Sequence, residues 1–431
     1  MSAIVVPYGQ IEQAFNENPT AVHDAVDRAA TNASGGDAAK KAQYVGRFNQ
    51  ALSSLQQADQ GDKILSTPQD DLASRLQTML VDRASAAGKV LTAVDRSTVT
   101  TNAGDSTAVE TVQVKFNEND LIGWFGTGLE IIFDADKAPF MAPPAAPEAI
   151  PDHATIALFS DWATGLYGAP VIADSIRRLP ACDVVLHLGD TYYSGTRTEI
   201  SDRLIATWPT RPNAISRALN GNHEMYSGGV GYFDALTSFF KQSSSCVALQ
   251  NTNWLILGLD TAYEDFAISA TQLAWINTMI AAAGTRKVIL CSHHQPFSAL
   301  DDQGPNLQTA LGPLLDAGRI EAWFWGHEHR LVIYEPHPKW GVKGRCIGHG
   351  GFPSFRDTSI GAHGNLYNWI HLHQRPHAPE AMLLDGPNFW VTAAPDQYSP
   401  HGFVVLELDG TDAWEAYRTP DNIAVGPKSR L

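Results

Sequence analysis

From residue 153 onward, short and almost wholly apolar runs alternate with longer stretches of helical periodicity. "ATIALFS", "CDVVLHLG", "NWLILGLD", "KVILCSHH" and "EAWFWGH" are apolar on consecutive positions and stop at Gly, Ser or Asp. Short runs of this kind read as strands buried on both faces. "APVIADSIRRL", "TQLAWINTMIAAA" and "LQTALGPLLDAG" lie between them and carry apolar residues at three- and four-residue spacing, which predicts helices. Strand and helix in alternation predict an α/β arrangement. The tail returns to a β texture in "NFWVTAA", "HGFVVLELDG" and "DAWEAYRT".

The first third reads differently. "IEQAFNENPTAVHDAVDRAA", "DAAKKAQYVGRFNQALSSLQQ" and "QDDLASRLQTMLVDRASAA" have helical spacing, with Gly35, Gly36, Gly61 and Pro68 as punctuation. From about residue 89, "KVLTAVDRSTVTTN", "STAVETVQVKF" and "LEIIF" read as strands. The Pro- and Ala-rich "KAPFMAPPAAPEAIPD" then reads as a semi-rigid linker. The expected organisation is an accessory domain over residues 1–150, helical then β, and a second domain over 151–431.

Composition narrows the function. The 431 residues carry 46 acidic and 30 basic side chains, a net charge of −16. That balance argues against non-specific binding to nucleic acid or an anionic membrane, which needs clustered Lys and Arg. It leaves an anionic substrate open, because bound metal ions can reverse a local field. Cys182, Cys246, Cys291 and Cys346 are scattered without a CxxC pair and read as buried reduced thiols. The N-terminal stretch lacks a basic region before its short apolar run, and no apolar segment reaches about 18 residues. A cytoplasmic location is the expectation.

The chemistry-bearing residues fall where the apolar runs end. Asp161 follows "IALFS", Asp190 follows "VVLHLG", His293 and His294 follow "VILCS", and His327 and His329 follow "WFWG". Asn222 and His223 follow the shorter "ISRALNG". Ligands of open α/β sheets gather outside the carboxyl ends of the strands, so residues far apart in sequence can converge. Carboxylates, a neutral oxygen and imidazoles are what two metal ions need, with one carboxylate bridging. Gly189, Gly221 and Gly326 beside them allow close backbone approach.

In this order, "SDWATG", "GDTYY", "GNHE", "SHHQP" and "GHEH" resemble the five ordered blocks of the calcineurin-like metallophosphoesterases. The resemblance covers about residues 153–335 and leaves the first 150 unaccounted for. It implies a four-layer α-β-β-α sandwich, a two-layer β core flanked by helices. One feature departs from the common pattern: position 163, two places after Asp161, is Ala where many relatives have His. The purple acid phosphatase branch also lacks that His and carries a Tyr three residues after the second Asp. Tyr193 stands at that place, with core packing as the competing reading, and Tyr192 is expected to point the other way.

The resemblance implies a first metal held by Asp161, Asp190, Tyr193 and His329. It implies a second held by Asp190, Asn222, His294 and His327, with Asp190 as the bridge. His294 is preferred to His293 because it stands two residues before Pro296, as the matching His does in this branch. A phenolate ligand favours a hard ion, so Fe(III) with divalent Fe, Mn or Zn is the implied pair. His223 is expected to face the phosphate and protonate the leaving alkoxide, with Glu224 orienting its imidazole. The implied reaction is hydrolysis of a phosphate ester by a metal-bound hydroxide, with a small phosphorylated molecule as substrate.

A phosphomonoesterase is expected, and a nucleotide or cyclic-nucleotide phosphodiesterase stands as the alternative. A non-catalytic binding protein and a nuclease are the competing classes; the near-complete ligand set counts against the first and the acidic balance against the second. Residues 1–150 are a candidate for self-association or a protein partner. Of the remaining signals, "HGGFPSF" at 349–355 reads as a tight turn, with His349 either lining the site or sitting in an ordinary loop. Arg330 reads as a phosphate contact or an exposed cation. His363, His371, His373 and His377 read as surface histidines of a substrate-side loop, with a metal-binding HxH pair as the alternative.

Overall fold

The computed structural model of the chain describes residues 19–34, 36–58, 137–165, 167–192, 194–300, 303–356, 364–391 and 395–431. They fall into two units, the first containing the described residues up to 138 together with 226–229, the second the remainder. In the first unit, helices Pro19–Ser34 and Ala38–Ala58 are joined by a turn at Gly36, whose φ of 89° suits a residue without Cβ. Asp37 Oδ1 accepts hydrogen bonds from the N–H groups of Ala39 and Lys40 and starts the second helix. Val26, Ala29, Ala30, Tyr44 and Phe48 are the buried face of the pair. Two of the expected N-terminal helical segments fall here. The third, and the strands expected from residue 89, lie outside the described residues.

The second unit holds two sheets. The larger has nine strands in the order β1-β5-β6-β7-β8-β10-β9-β12-β11. Its members are β1 (Glu148–Ala149), β5 (Val247–Gln250), β6 (Trp254–Leu259), β7 (Lys287–Ser292), β8 (Ile320–Trp325), β9 (Leu331–Tyr334), β10 (Lys343–Ile347), β11 (Asn368–Leu372) and β12 (Ala381–Asp385). The smaller has six strands in the order β15-β14-β13-β2-β3-β4. These are β2 (His153–Phe159), β3 (Val184–His187), β4 (Ile215–Ala218), β13 (Phe403–Asp409), β14 (Asp412–Arg418) and β15 (Ser429–Arg430). β2, β3 and β4 run parallel in one sheet, and β6, β7, β8 and β10 run parallel in the other. The Pro- and Ala-rich stretch expected to be a linker is fastened to this unit. β1 pairs with β5, and Trp275 Nε1 donates to Pro144 O.

The period of two along each strand divides the apolar residues between two cores. Leu255, Leu257, Val288, Leu290, Trp323 and Trp325 face outward against helices Ala270–Ala282 and Pro305–Asp316. Ile256, Ile289, Cys291, Ala322 and Phe324 face inward against Ile156, Leu158, Val184 and Leu186 of the other sheet. Burial on both faces is why these strands read as unbroken apolar runs. On the outer face of the smaller sheet, helix Ala169–Arg177 buries Val171, Ile172 and Ile176. The result is helix, sheet, sheet, helix, as the family resemblance implies.

Local signals set the helices. Ser269 Oγ accepts from Gln272 N at the start of Ala270–Ala282. Gly304, at φ 116°, precedes Pro305 at the first turn of the next helix; a Cβ at 304 would strike the Pro296 carbonyl. That helix buries Leu307, Leu311 and Leu315, one residue per turn. All four cysteines are free and buried. No helix among the described residues is long and apolar enough to cross a membrane.

Candidate metal centre

The two sheets bring different chemistry to one seam. Asp161, Asp190 and Asn222 lie just beyond the carboxyl ends of β2, β3 and β4, so the smaller sheet supplies oxygens. His293, His327 and His329 lie just beyond β7 and β8, so the larger sheet supplies imidazoles. Asp161 Oδ2 accepts from His327 N at 2.9 Å, which ties one strand end to the other across the seam. Asp161, Asp190, His327 and His329 all have positive φ, between 51° and 78°, without being glycine. Such conformations cost about 1–3 kcal/mol each and collect at functional sites.

Two cradles of polar atoms result. In the first, the Tyr192 hydroxyl lies 3.0 Å from Asp161 Oδ1, 3.1 Å from Asp190 Oδ2 and 2.9 Å from His329 Nε2. Asp161 Oδ1 is 3.2 Å from the same His329 nitrogen. In the second, His293 Nε2 lies 3.0 Å from Asn222 Oδ1 and 3.3 Å from Asp190 Oδ1. His327 Nδ1 is 3.0 Å from Asn222 Oδ1 and 3.3 Å from His293 Nε2. Asp190 turns one carboxylate oxygen to each cradle.

These separations test whether cations fit. Ligand atoms about 2.1 Å from one ion sit roughly 3.0–3.4 Å from their neighbours in octahedral or tetrahedral arrangement. Both cradles have that spacing. The hydrogen-bond inventory agrees. Leu188 O, which can only accept, lies 3.0 Å from His293 Nδ1 and so fixes the proton there. The lone pair of His293 Nε2 is then directed at an Asp190 carboxylate oxygen, another acceptor. Likewise the single hydroxyl proton of Tyr192 cannot serve two carboxylates and an imidazole at once. Acceptors facing acceptors are the donor set of a cation site. Two groups with metal-binding spacing recur in the cluster: Asp161, Asp190 and His293, and His293, His294 and His327.

Electrostatics point the same way. Burial pushes the Asp190 carboxyl well above its usual range, and the charges of Asp161 and Glu224 push it further. For Asp161 burial works in the same direction, but the hydrogen bond from His329 opposes it and the group is held low. Burial lowers His293 to about 4 and takes His294 and His327 well below their usual value. These imidazoles are therefore neutral, the form that binds metals.

Tyr193 lies outside the described residues, while Tyr192, expected to turn away, points into the first cradle. The segment is not a simple alternating strand: Asp190 is left-handed at φ 78°, and Ala163 and Thr191 form a β-bridge. Tyr192 N donates to the Ala163 carbonyl at 3.2 Å. Position 163 thus contributes backbone that carries the phenol. Of the adjacent histidines, His293 meets Asp190 and Asn222, and His294 stands with His293 and His327 in a group of metal-binding spacing. His294 Nδ1 faces the Thr261 carbonyl at 2.9 Å.

Glu224 holds the ligand turns. Its Oε2 accepts from the backbone of Asp190 at 3.1 Å and of Gly221 at 2.7 Å, pinning two ligand turns together, and burial raises the carboxyl to about 7. His223 itself is buried at the edge of the site, its N–H donating to Asp190 Oδ1 at 3.1 Å and its Nε2 3.7 Å from Asp190 Oδ2.

The weaker signals resolve too. The 349–355 turn supports the site: Gly350 N donates to Ser160 O and Phe352 N to Asp161 O. The Phe352 ring packs 4.4 Å from that of Tyr192 and 4.8 Å from that of His329. His349 is buried behind this turn, where Gly402 N donates to its carbonyl, and burial lowers its imidazole to about 4. Arg330 donates to Phe355 O and Ser399 Oγ. His371 pairs with Glu380 on the surface. Sequence reading missed Phe352 and Thr261, which carry no ligand chemistry of their own.

Comparison with known proteins agrees with this geometry. The family model described as calcineurin-like phosphoesterase matches residues 154–331. The tartrate-resistant acid phosphatase type 5 of Sus scrofa is 28% identical over 197 residues, covering 38% of this chain and 57% of that protein. The Rattus norvegicus protein of the same name is 34% identical over 70 residues, 16% of this chain and 21% of that one. The chain thus spans little more than half of the longer match. Among solved structures, the purple acid phosphatase PPD1 from yellow lupin (Lupinus luteus) seeds aligns with a TM-score of 0.47 at 15% identity, over 66% of this chain and 54% of that one. The family match and the strand-end residues thus make residues 154–331 similar to the calcineurin-like phosphoesterases, and the curated relatives named above are acid phosphatases.

Proposed function

We propose that the chain is a two-metal hydrolase of phosphate esters that prefers monoesters. The carrying observation is the Asp190 carboxylate, which offers Oδ2 to the Tyr192 cradle and Oδ1 to the His293 cradle. Asp161, Asp190, Tyr192 and His329 would hold the first ion; Asp190, Asn222, His293 and His327 the second. A tyrosine oxygen in the first set favours a hard trivalent ion such as Fe(III), with a divalent ion beside it. When bound, such ions polarise phosphate oxygens and lower the pKa of a water from 15.7 to about 7.

The chain supplies the rest. The strand ends hold the two cradles at fixed spacing, with the Phe352 ring packed against Tyr192 and the Phe266 ring against His327. The His223 imidazole, at the edge, is placed to donate a proton to the leaving alkoxide. Monoester preference rests on similarity to the acid phosphatases.

The test is metal analysis with activity on p-nitrophenyl phosphate and bis-p-nitrophenyl phosphate, for wild type and Asp190→Asn. Two ions per chain, faster monoester cleavage and loss of both in the variant are expected. A protein that retains full activity in Asp190→Asn would not be working through this centre.

A further inference from the structure

The turn that carries Tyr192 is also held from the chain that follows it. Beyond Ser194 and Gly195, Thr196 caps the short helix Arg197–Glu199, which continues as a π-helical turn over Ile200–Ile205. Turns of this kind are rare and recur at functional sites. Two side chains of the segment reach back. Arg203 Nη1 donates to the Tyr192 carbonyl. Glu199 is buried, and its Oε2 accepts from Ser194 N at 3.0 Å and from Thr196 N at 3.1 Å. Its other oxygen, Oε1, lies 3.4 Å from Arg203 Nη1. One ion pair therefore fastens the carbonyl of the tyrosine itself and two amides of the turn after it. Hydrogen bonds from or to an ionised group are the stronger kind.

The rest of the turn has little freedom. Tyr192 N donates to the Ala163 carbonyl, so with Arg203 both polar backbone groups of the tyrosine have protein partners. Gly195 N donates to the Thr191 carbonyl at 3.0 Å. Gly195 has φ 60°, and a Cβ there would stand 2.5 Å from Glu224 Cα. Neither Arg203 nor Glu199 belongs to the donor atoms of the two cradles. What they fix is the backbone from which the phenol reaches Asp161, Asp190 and His329.

We propose that Arg203, braced by Glu199, is a positioning residue that holds the Tyr192 phenol in the first cradle before an ion arrives. This rests on the reading of Tyr192 as a first-ion donor and goes beyond it, because it assigns part of the first ion's affinity to a residue outside the donor set. A donor fixed in advance loses less freedom when the ion binds, and the saving appears as affinity. The effect is confined to the first ion. Asn222, His293 and His327, which would hold the second with Asp190, stand on other turns.

Zinc alone is the probe, added to the metal-free full chain. Chelator competition reads the two affinities, and ultraviolet difference absorption reads tyrosinate formation. Arg203→Met is expected to weaken the first zinc by about tenfold, to reduce the tyrosinate signal, and to leave the second zinc unchanged. Arg203→Lys should restore part of both losses. Equal weakening of the two ions in Arg203→Met would make Arg203 a general support of the fold, and an unchanged first ion with an unchanged tyrosinate signal would leave it no role; either result overturns the inference. A second measurement needs no variant. In the metal-free wild type the Ser194 and Thr196 amides should exchange hydrogen with solvent far more slowly than in the unfolded chain. Exchange at the unfolded rate overturns the inference even where Arg203→Met fails to fold. If wild type and Tyr192→Phe bind two zinc ions equally well, the tyrosine reading itself fails and takes this inference with it.

Discussion

Tyr192 and His329 meet end to end: the phenol oxygen lies 2.9 Å from the imidazole Nε2, across 137 residues of sequence. The contact places the tyrosine, and not an imidazole from position 163, among the first-cradle donors. Tyr192→Phe should lose the first ion and any visible tyrosinate-to-iron(III) band. Tyr193→Phe should keep both. Absorption spectra with metal analysis of the two variants decide between the adjacent residues.

Gly221 separates steric effects from backbone effects. A Cβ there would collide with Asp190 Oδ1 and approach His293 Cε1 to 2.8 Å. Gly221→Ala should abolish metal retention. Gly284 provides the contrast, since a Cβ meets nothing within 4 Å but φ is +61°. Gly284→Ala should cost about 1–2 kcal/mol of stability and leave activity per folded molecule unchanged. Denaturant titration beside metal content reads both.

Glu224 accepts from Asp190 N and Gly221 N through a single oxygen. Glu224→Ala leaves two buried N–H groups unpaired, at about 1–3 kcal/mol each, and should lower both stability and metal retention. Glu224→Gln keeps an amide oxygen in place and should restore most of the stability. Thermal unfolding with metal analysis distinguishes this role from one in proton transfer, which the amide could not rescue.

His187 is buried among Phe159, Trp162 and Trp208, and neither ring nitrogen has a hydrogen-bond partner among the described residues. Burial lowers its pKa to about 3. The unfolded chain takes up this proton below about pH 6.5, and the folded chain does so only near 3. His187 therefore costs stability progressively as pH falls through that interval, at up to about 1.4 kcal/mol per unit. His187→Phe should flatten the acid side of the stability curve. Unfolding midpoints between pH 4 and 7 would show it, and a parallel shift at all pH values would contradict it.

Arg345 on β10 and Glu415 on β14 form a buried two-pronged pair between the sheets, with nitrogen–oxygen distances of 2.8 to 3.0 Å. Fully buried aliphatic side chains contribute about 1.5–3 kcal/mol each, so the apolar layer and not this pair dominates sheet adhesion. Removing one partner strands a charge: Glu415→Leu should cost about 3–5 kcal/mol. Replacing both by apolar residues should cost much less. A double-mutant cycle in denaturant measures the difference.

Much of the fold was legible because its strands are buried on both faces. "KVILCS" and "EAWFW" became β7 and β8, and each motif fell at a strand end. The choice between neighbours was not legible. His293 and His294 are both histidines on one turn, and the Leu188 carbonyl just beyond β3 and the Thr261 carbonyl just beyond β6 set which way each ring faces. The alternation expected to turn Tyr192 away is interrupted by the left-handed Asp190, and Tyr193 lies outside the described residues.

The sequence by itself determined which chemical groups were available and that they would collect at one end of the strands. Apolar periodicity and turn residues are local properties that survive in a linear reading. The tertiary structure decided which atoms face one another: phenol of Tyr192 against Asp161 and His329, imidazole of His293 against Asp190. Those pairings join residues far apart in the chain across two sheets, and they depend on a few degrees of backbone rotation and on packing that no local pattern records.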